Sequence, residues 1–245
     1  MRVPDIAVTY TVVKNSTLYV NGGRETFIDV KANGSSSEQF GNITGLQTGT
    51  APPVLSRGAL FYSSANDSNI YLWGGTTSYS NTSFPGYEAP IPQEYSLWLF
   101  DISTQGSVQY DLTLGSANRP SYGSFTNAEE LGLGFYFNGE LDSGCEIQTQ
   151  IYGDGVKHLI GGMIVVDLIA GKQQNVANTT GIISPHIENL LPMDEIDIFD
   201  VASYYNDSTP HGTWYKQTTS GATPDPRIDL YLILASAPDG SSHNV

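Results

Sequence analysis

The strongest constraint on this chain is a strand pattern that ends in a glycine pair and then returns. "TLYVNGGRE" at 17–25 and "IYLWGGTTS" at 70–78 alternate apolar and polar residues and close on Gly-Gly, and "GFYFNGELD" at 134–142 is a looser copy. A second element recurs out of phase: "SLWLFDIST" at 96–104, "MIVVDLIAG" at 163–171 and "IDIFDVASY" at 196–204, with an aspartate after the apolar run at 101, 167 and 200. A third precedes the glycine strand, as "PPVLSRGALFYSS" at 52–64 and "PDPRIDLYLILAS" at 224–236, with "NRPSYGSFTNAEELGLGFYF" at 118–137 a looser relative. Ordered recurrence of this kind marks a repeat protein, in which each unit buries its apolar face only against its neighbours.

In order, the unit is a Pro/Arg turn, an apolar strand, a strand ending in Gly-Gly, a loop, an Asp-terminated strand and a polar strand such as "TWYKQT" at 213–218. That is four strands in roughly fifty to sixty residues. The glycine pairs fit positions where a Cβ would clash with a neighbouring strand or where φ is positive. Only 14% of residues are charged, and β-branched or aromatic residues alternate with polar ones, which points to an all-β protein with many turns. "GGMIVVDLIAG" is too short to span a membrane and rich in Val and Ile, so it reads as a buried strand.

On Gly22-Gly23, Gly74-Gly75, the "LFD" and "IFD" strands, Trp214-Tyr215 and the turns at Arg57 and Arg227, the chain resembles kelch-repeat propellers. More closely, it is similar to the fungal extracellular kelch proteins related to the central domain of galactose oxidase. The resemblance runs over essentially the whole chain, 1–245, and implies one all-β, kelch-type β-propeller domain. It also implies that full-length relatives carry a signal sequence and a C-terminal membrane anchor; neither pattern occurs in this chain.

The intervals imply an incomplete ring of about four to five blades or part-blades of four antiparallel strands. Asp101 to Asp167 spans 66 residues, whereas Asp167 to Asp200 spans 33. In the short interval "SPHI" resembles the start of a unit and "ENLLPMDEIDIFD" its later part, which places an internal gap of about two strands near Ile187-Glu188. The chain also stops at "SSHNV", where another Gly-Gly strand is expected, so it reads as a fragment with a truncated C-terminus.

A net charge of -15, from ten Lys+Arg against 25 Asp+Glu, argues against binding nucleic acid through its phosphates and against an anionic lipid surface. No run is long and apolar enough for direct membrane insertion. Glycosylation sequons stand at Asn15, Asn33, Asn42, Asn66, Asn81, Asn178 and Asn206, against roughly three expected by chance. They point to the secretory pathway, and so to an extracellular or cell-surface protein.

Candidate chemistry is sparse. A copper radical oxidase, suggested by the galactose oxidase likeness, needs paired Tyr and His ligands and a crosslinking Cys. Cys145 is alone, and His158, His186, His211 and His243 stand in unlike contexts. The acidic run Asp194, Glu195, Asp197 and Asp200 contains one framework residue, Asp200, with Asp197 on the alternate face of the strand. No catalytic residue, cofactor or metal site is assigned; the repeat framework is Gly22, Gly23, Gly74, Gly75, Asp101, Asp167, Asp200 and Trp214. Two loops carry aromatic residues suited to a face-loop binding surface: Tyr79, Phe84 and Tyr87 in the first, Arg119, Tyr122 and Phe125 in the second. The reading is a non-enzymatic kelch propeller binding a protein or glycan. Its rivals are a divergent galactose oxidase-like or sugar-acting enzyme and an intracellular kelch adaptor.

Overall fold

The computed structural model describes residues 10–14, 16–21, 55–63, 68–77, 97–104, 106–110, 112, 119–152, 156–176, 193–225 and 232–245. Gly22, Gly23, Tyr79, Phe84, Tyr87, Arg227, six of the seven sequon asparagines and the expected gap near 187–188 lie outside these residues.

All regular structure described is β apart from short 3-10 turns. A hairpin of β1 (Tyr10–Lys14) and β2 (Thr17–Asn21) comes first. The first sheet is β3 (Ala59–Tyr62), β4 (Asn69–Trp73), β5 (Leu97–Asp101) and β6 (Gly106–Tyr110), an antiparallel meander in chain order. The second repeats it with β7 (Ser124–Ala128) and β8 (Leu133–Phe137), followed by an excursion bearing the short pair β9 (Glu140–Leu141) and β10 (His158–Leu159). It resumes with β11 (Met163–Asp167) and β12 (Lys172–Val176). The third sheet holds β13 (Glu195–Asp200) and β14 (Thr213–Thr218), with β15 (Ala235–Ser236) and β16 (His243–Asn244) on the other side of β13. The expected all-β architecture of four-stranded antiparallel sheets is therefore present; among the described residues the sheets do not close into a ring.

Alternation of side chains along each strand sends successive residues to opposite faces, so each central sheet supplies two cores. Ala59, Phe61, Tyr71, Trp73 and Leu97 of the first sheet pack against Tyr136, Ile164 and Val166 of the second. Phe135, Phe137, Met163 and Val165, from the second sheet's other face, pack against Phe199, Val201 and Trp214. β11 is thus buried on both faces, which is why "MIVVD" is continuously apolar rather than alternating. Trp73 Nε1 also donates to Gln173 Oε1 at 2.9 Å, tying β4 to β12 across the same core.

The three repeated aspartates end the equivalent strands β5, β11 and β13. Each carboxylate turns back to accept backbone N–H groups of the following turn: Ser103 at 2.8 Å for Asp101, Ala170 at 2.8 Å for Asp167 and Ala202 at 3.0 Å for Asp200. Trp214 lies across from Phe199 in the β13–β14 ladder, with ring centroids 5.0 Å apart.

In the third sheet the two strands beside β13 come from the C-terminal end: β16 next to β13, and β15 beyond it.

Candidate functional site

The glycine turns bring several polar side chains, among them Arg57, Tyr122, Glu140 and Lys157, to one end of the first two sheets. Ser56-Arg57-Gly58 leads into β3 and Ser121-Tyr122-Gly123 leads into β7, and each turn has a left-handed central residue: Arg57 has φ 63° and Tyr122 φ 64°. Their partners match as well. Gly74-Gly75 has φ 66° and 94°, and Asn138-Gly139 has φ 57° and 115°. Asn at the first position is consistent, because its short polar side chain tolerates the left-handed region better than most. Ser56 exchanges two backbone hydrogen bonds with Thr76, both at 2.9 Å, as Ser121 does with Glu140 at 2.9 and 2.8 Å.

Neighbouring repeats are stitched through these turns. The Gly75 N–H donates to the Pro120 carbonyl at 3.0 Å, and the Tyr122 N–H to the Arg57 carbonyl at 3.1 Å. A Cβ on Gly74 would stand 2.8 Å from the Pro120 oxygen, and one on Gly75 3.0 Å from the Ser56 oxygen. The glycine pair is therefore required twice over, by φ and by contact. The Tyr136 hydroxyl closes the arrangement, accepting from the Gly123 N–H at 2.7 Å and donating to the Arg57 carbonyl at 3.1 Å. Its burial raises the phenol pKa well above the ordinary value.

Three of the ten basic residues, Arg57, Arg119 and Lys157, belong to this end. The Arg57 guanidinium carbon lies 3.4 Å from the Tyr122 ring centroid and the Lys157 ammonium 4.7 Å from it. Lys157 also pairs with the buried Glu140 at 2.6 Å. Arg119 is buried, and its backbone N–H donates to Glu146 Oε1 at 2.7 Å. Phe125 turns inward, edge-on to Phe61 with centroids 6.0 Å apart. Of the sequence-selected loop residues that are described, then, Arg119 and Phe125 are packed into the frame and Tyr122 is held by two cations.

The excursion between β8 and β11 leaves from the same end. Its base is closed by Asn138 N–H to Gly162 O at 2.8 Å and Ile160 N–H to Gly139 O at 2.9 Å. Its flank is held by Thr77 N–H to Gly144 O at 3.0 Å and Thr76 Oγ1 to Asp142 Oδ1 at 2.5 Å. Beyond these anchors stand Ile147, Ile151 and Val156, with Ile151 87% exposed. Sequence reasoning missed this crest. The one available signal is "EIQTQIYG", where Ile147 and Ile151 stand in an otherwise polar stretch, Ile147 just before and Ile151 within the 3-10 turn Gln148–Tyr152.

Cys145 belongs to the excursion's inner turn. Its sulfur accepts the Asp142 N–H at 3.4 Å and faces Ser121 Oγ and the Glu140 carbonyl, each at 3.7 Å. Burial, then the nearby Asp142 carboxylate, pushes the thiol up to about 12. His158 and His243 sit on separate strands and His211 in a turn, with His243 bonded to Ser236 Oγ at 2.8 Å. In the acidic run, Lys216 bonds Glu195 and lies 3.9 Å from Asp197. Among the described residues no group of three His, Cys, Asp or Glu side chains is placed to hold a metal.

No family model matches the sequence. The chain is similar to a kelch repeat-containing protein of Arthroderma benhamiae, with 26% identity over 307 residues of alignment that take in 96% of this chain and 43% of that protein. The chain thus spans less than half the length of this relative. The aligned span exceeds the 245 residues of the chain itself, so within it the relative carries stretches that have no counterpart here. The four-stranded antiparallel sheets and this similarity support the kelch-repeat resemblance read from the sequence.

Proposed function

We propose that this chain is a non-enzymatic kelch-repeat scaffold of the cell surface or secreted fraction, binding a protein partner through loops at the glycine-turn end. The carrying observation is the excursion: it is anchored along its base and flank, yet presents Ile147, Ile151 and Val156 to solvent. Exposed aliphatic residues on an anchored projection suit a protein surface, where a few buried apolar anchors supply most of the affinity. Sugars are recognised more by flat rings, and the aromatic residues of the other insertion, Tyr79, Phe84 and Tyr87, keep a glycan as the second reading. The non-enzymatic assignment is supported by the turn-building roles of Cys145 and the three aspartates, whose side chains are engaged in the frame.

Asn206 supports the compartment. It is exposed, and its carboxamide oxygen accepts from the N–H and hydroxyl of Ser208 in its own sequon at 3.0 and 2.7 Å. Expression in a eukaryotic secretory host should yield a heavy, glycosidase-sensitive product, lighter by one glycan after Asn206→Gln. An unmodified mass would count against export.

The binding test compares the native chain with Ile147→Asp/Ile151→Asp, using a protein ligand selected from a secreted-protein display library and, separately, a glycan array. The variant should unfold at the native temperature and bind the protein ligand at least about tenfold more weakly, the least that losing two apolar anchors should cost. Unchanged protein affinity would remove the reading, and array binding insensitive to these residues would favour the glycan.

A further inference from the structure

The third sheet is assembled from two separate stretches of chain. β13 and β14 follow one another, but the strand on the other side of β13 is β16, with β15 beyond it. Asn244 stands opposite Asp200, and Phe199 and Val245 exchange both backbone hydrogen bonds, at 2.7 and 3.0 Å. In the first sheet Asn69 stands opposite Asp101 and Ile70 opposite Phe100. Asn244-Val245 therefore holds on β13 the register that Asn69-Ile70 holds on β5.

The outer strand agrees. Tyr62 opposes Ile70, so the next step puts Ser63 at Asn69; Ala235 opposes Asn244. The 232–245 segment reproduces the opening of a unit at two levels of pairing. Its side chains complete the same core: Leu232, Leu234 and Val245 pack beside Phe199 and Trp214. The ladder is short, however. β5 meets β4 over five residue pairs, whereas the β13–β16 ladder pairs Asp200 alone.

We propose that the edge of β13 is a strand-acceptor site, and that it takes the 232–245 strand pair of a second copy of this chain in place of its own. Every contact the pair makes with β13 and the core is the same whichever copy donates it; only the connection through 219–231 differs. The donor is present in each copy, and few backbone bonds must break for it to leave. The net charge of -15 opposes close approach of two copies, so exchange grows with salt as well as with concentration.

The test uses whole chains carrying single substitutions, Asp200→Cys in one tagged copy and Asn244→Cys in another. Directly opposed residues of an antiparallel pair lie within disulfide reach, and buried Cys145 stays silent. Both substitutions in one chain should give an internal disulfide at high dilution, which reports the site filled by its own segment. Mixing concentrated single variants at high salt under mild oxidation should give the Asp200→Cys/Asn244→Cys heterodimer, at least about tenfold over either homodimer because exchange holds only unlike positions together. Cys145 resistant to alkylation in each variant verifies the fold. A heterodimer no more abundant than the homodimers overturns exchange, and failure of the internal disulfide in the folded double variant overturns the acceptor site itself.

Discussion

Arg57 and Tyr122 occupy the same place in successive repeats, share the same left-handed backbone conformation, and stack with the guanidinium carbon 3.4 Å from the ring centroid. One repeat position thus supplies both halves of a contact that joins two sheets, with Lys157 on the same ring at 4.7 Å. Tyr122→Ala is expected to lower stability by about 1–2 kcal/mol, the loss of two partly exposed cation–ring contacts. Tyr122→Phe should retain most of it. Urea unfolding of the three proteins decides: equal losses for Ala and Phe would show that the ring stack contributes nothing.

Gly75 and Gly171 separate conformation from contact. Both have positive φ, but a Cβ on Gly171 meets nothing within 4 Å, whereas one on Gly75 meets Ser56 O at 3.0 Å and Gly58 N at 3.1 Å. Gly171→Ala should cost about 1 kcal/mol, and Gly75→Ala about 2–4 kcal/mol because the turn must also shift. A Gly75→Ala penalty no larger than that of Gly171→Ala would contradict the close approach.

Asp101 makes acid stability measurable. Bonds from the Ser103 hydroxyl and N–H and from Ser68 hold its carboxyl down to about 2. Since the folded value lies below that of the unfolded chain, the contribution is full above the ordinary aspartate range and is lost as pH falls through about 2. Asp101→Asn should be less stable than the native chain at neutral pH, with the difference shrinking between pH 4 and 2. A difference independent of pH would place the effect elsewhere.

Cys145 should resist alkylation in the native protein at pH 8 and react at once on unfolding, given a thiol pushed up to about 12. Loaded with Cu(II), the protein should neither release peroxide from galactose nor develop a tyrosyl-radical absorption. Either signal, abolished by Cys145→Ala, would establish the oxidase reading.

Inserting roughly 25–35 kelch-like residues between His186 and Glu188, about half of a ~50-residue unit, should raise the unfolding temperature. A contiguous strand pair then competes for the edge of β13, so the Phe199–Val245 pairing gives way and an Asp200→Cys/Asn244→Cys disulfide no longer forms. If the native chain melts cooperatively at a temperature no lower than the extended one, no strand pair is missing there.

The sequence determined the strands and their ends. "LWLFD", "MIVVD" and "TWYKQT" are read as strands from period and β-branched content, and they appear as β5, β11 and β14. Gly74-Gly75 and the looser Asn138-Gly139 were legible because a positive φ restricts residue choice at the position itself. These are local properties of a few adjacent residues. Tertiary structure alone decided who pairs with whom. Any extended edge offers the same N–H and C=O groups, so nothing in "SSHNV" says that it will lie on Phe199 rather than elsewhere. Likewise nothing in "SYGSF" places the Tyr122 ring under Arg57 while sending Phe125 into the core. Exposure of Ile151 and burial of Arg119 follow from what packs around each, which depends on contacts between residues far apart in the chain.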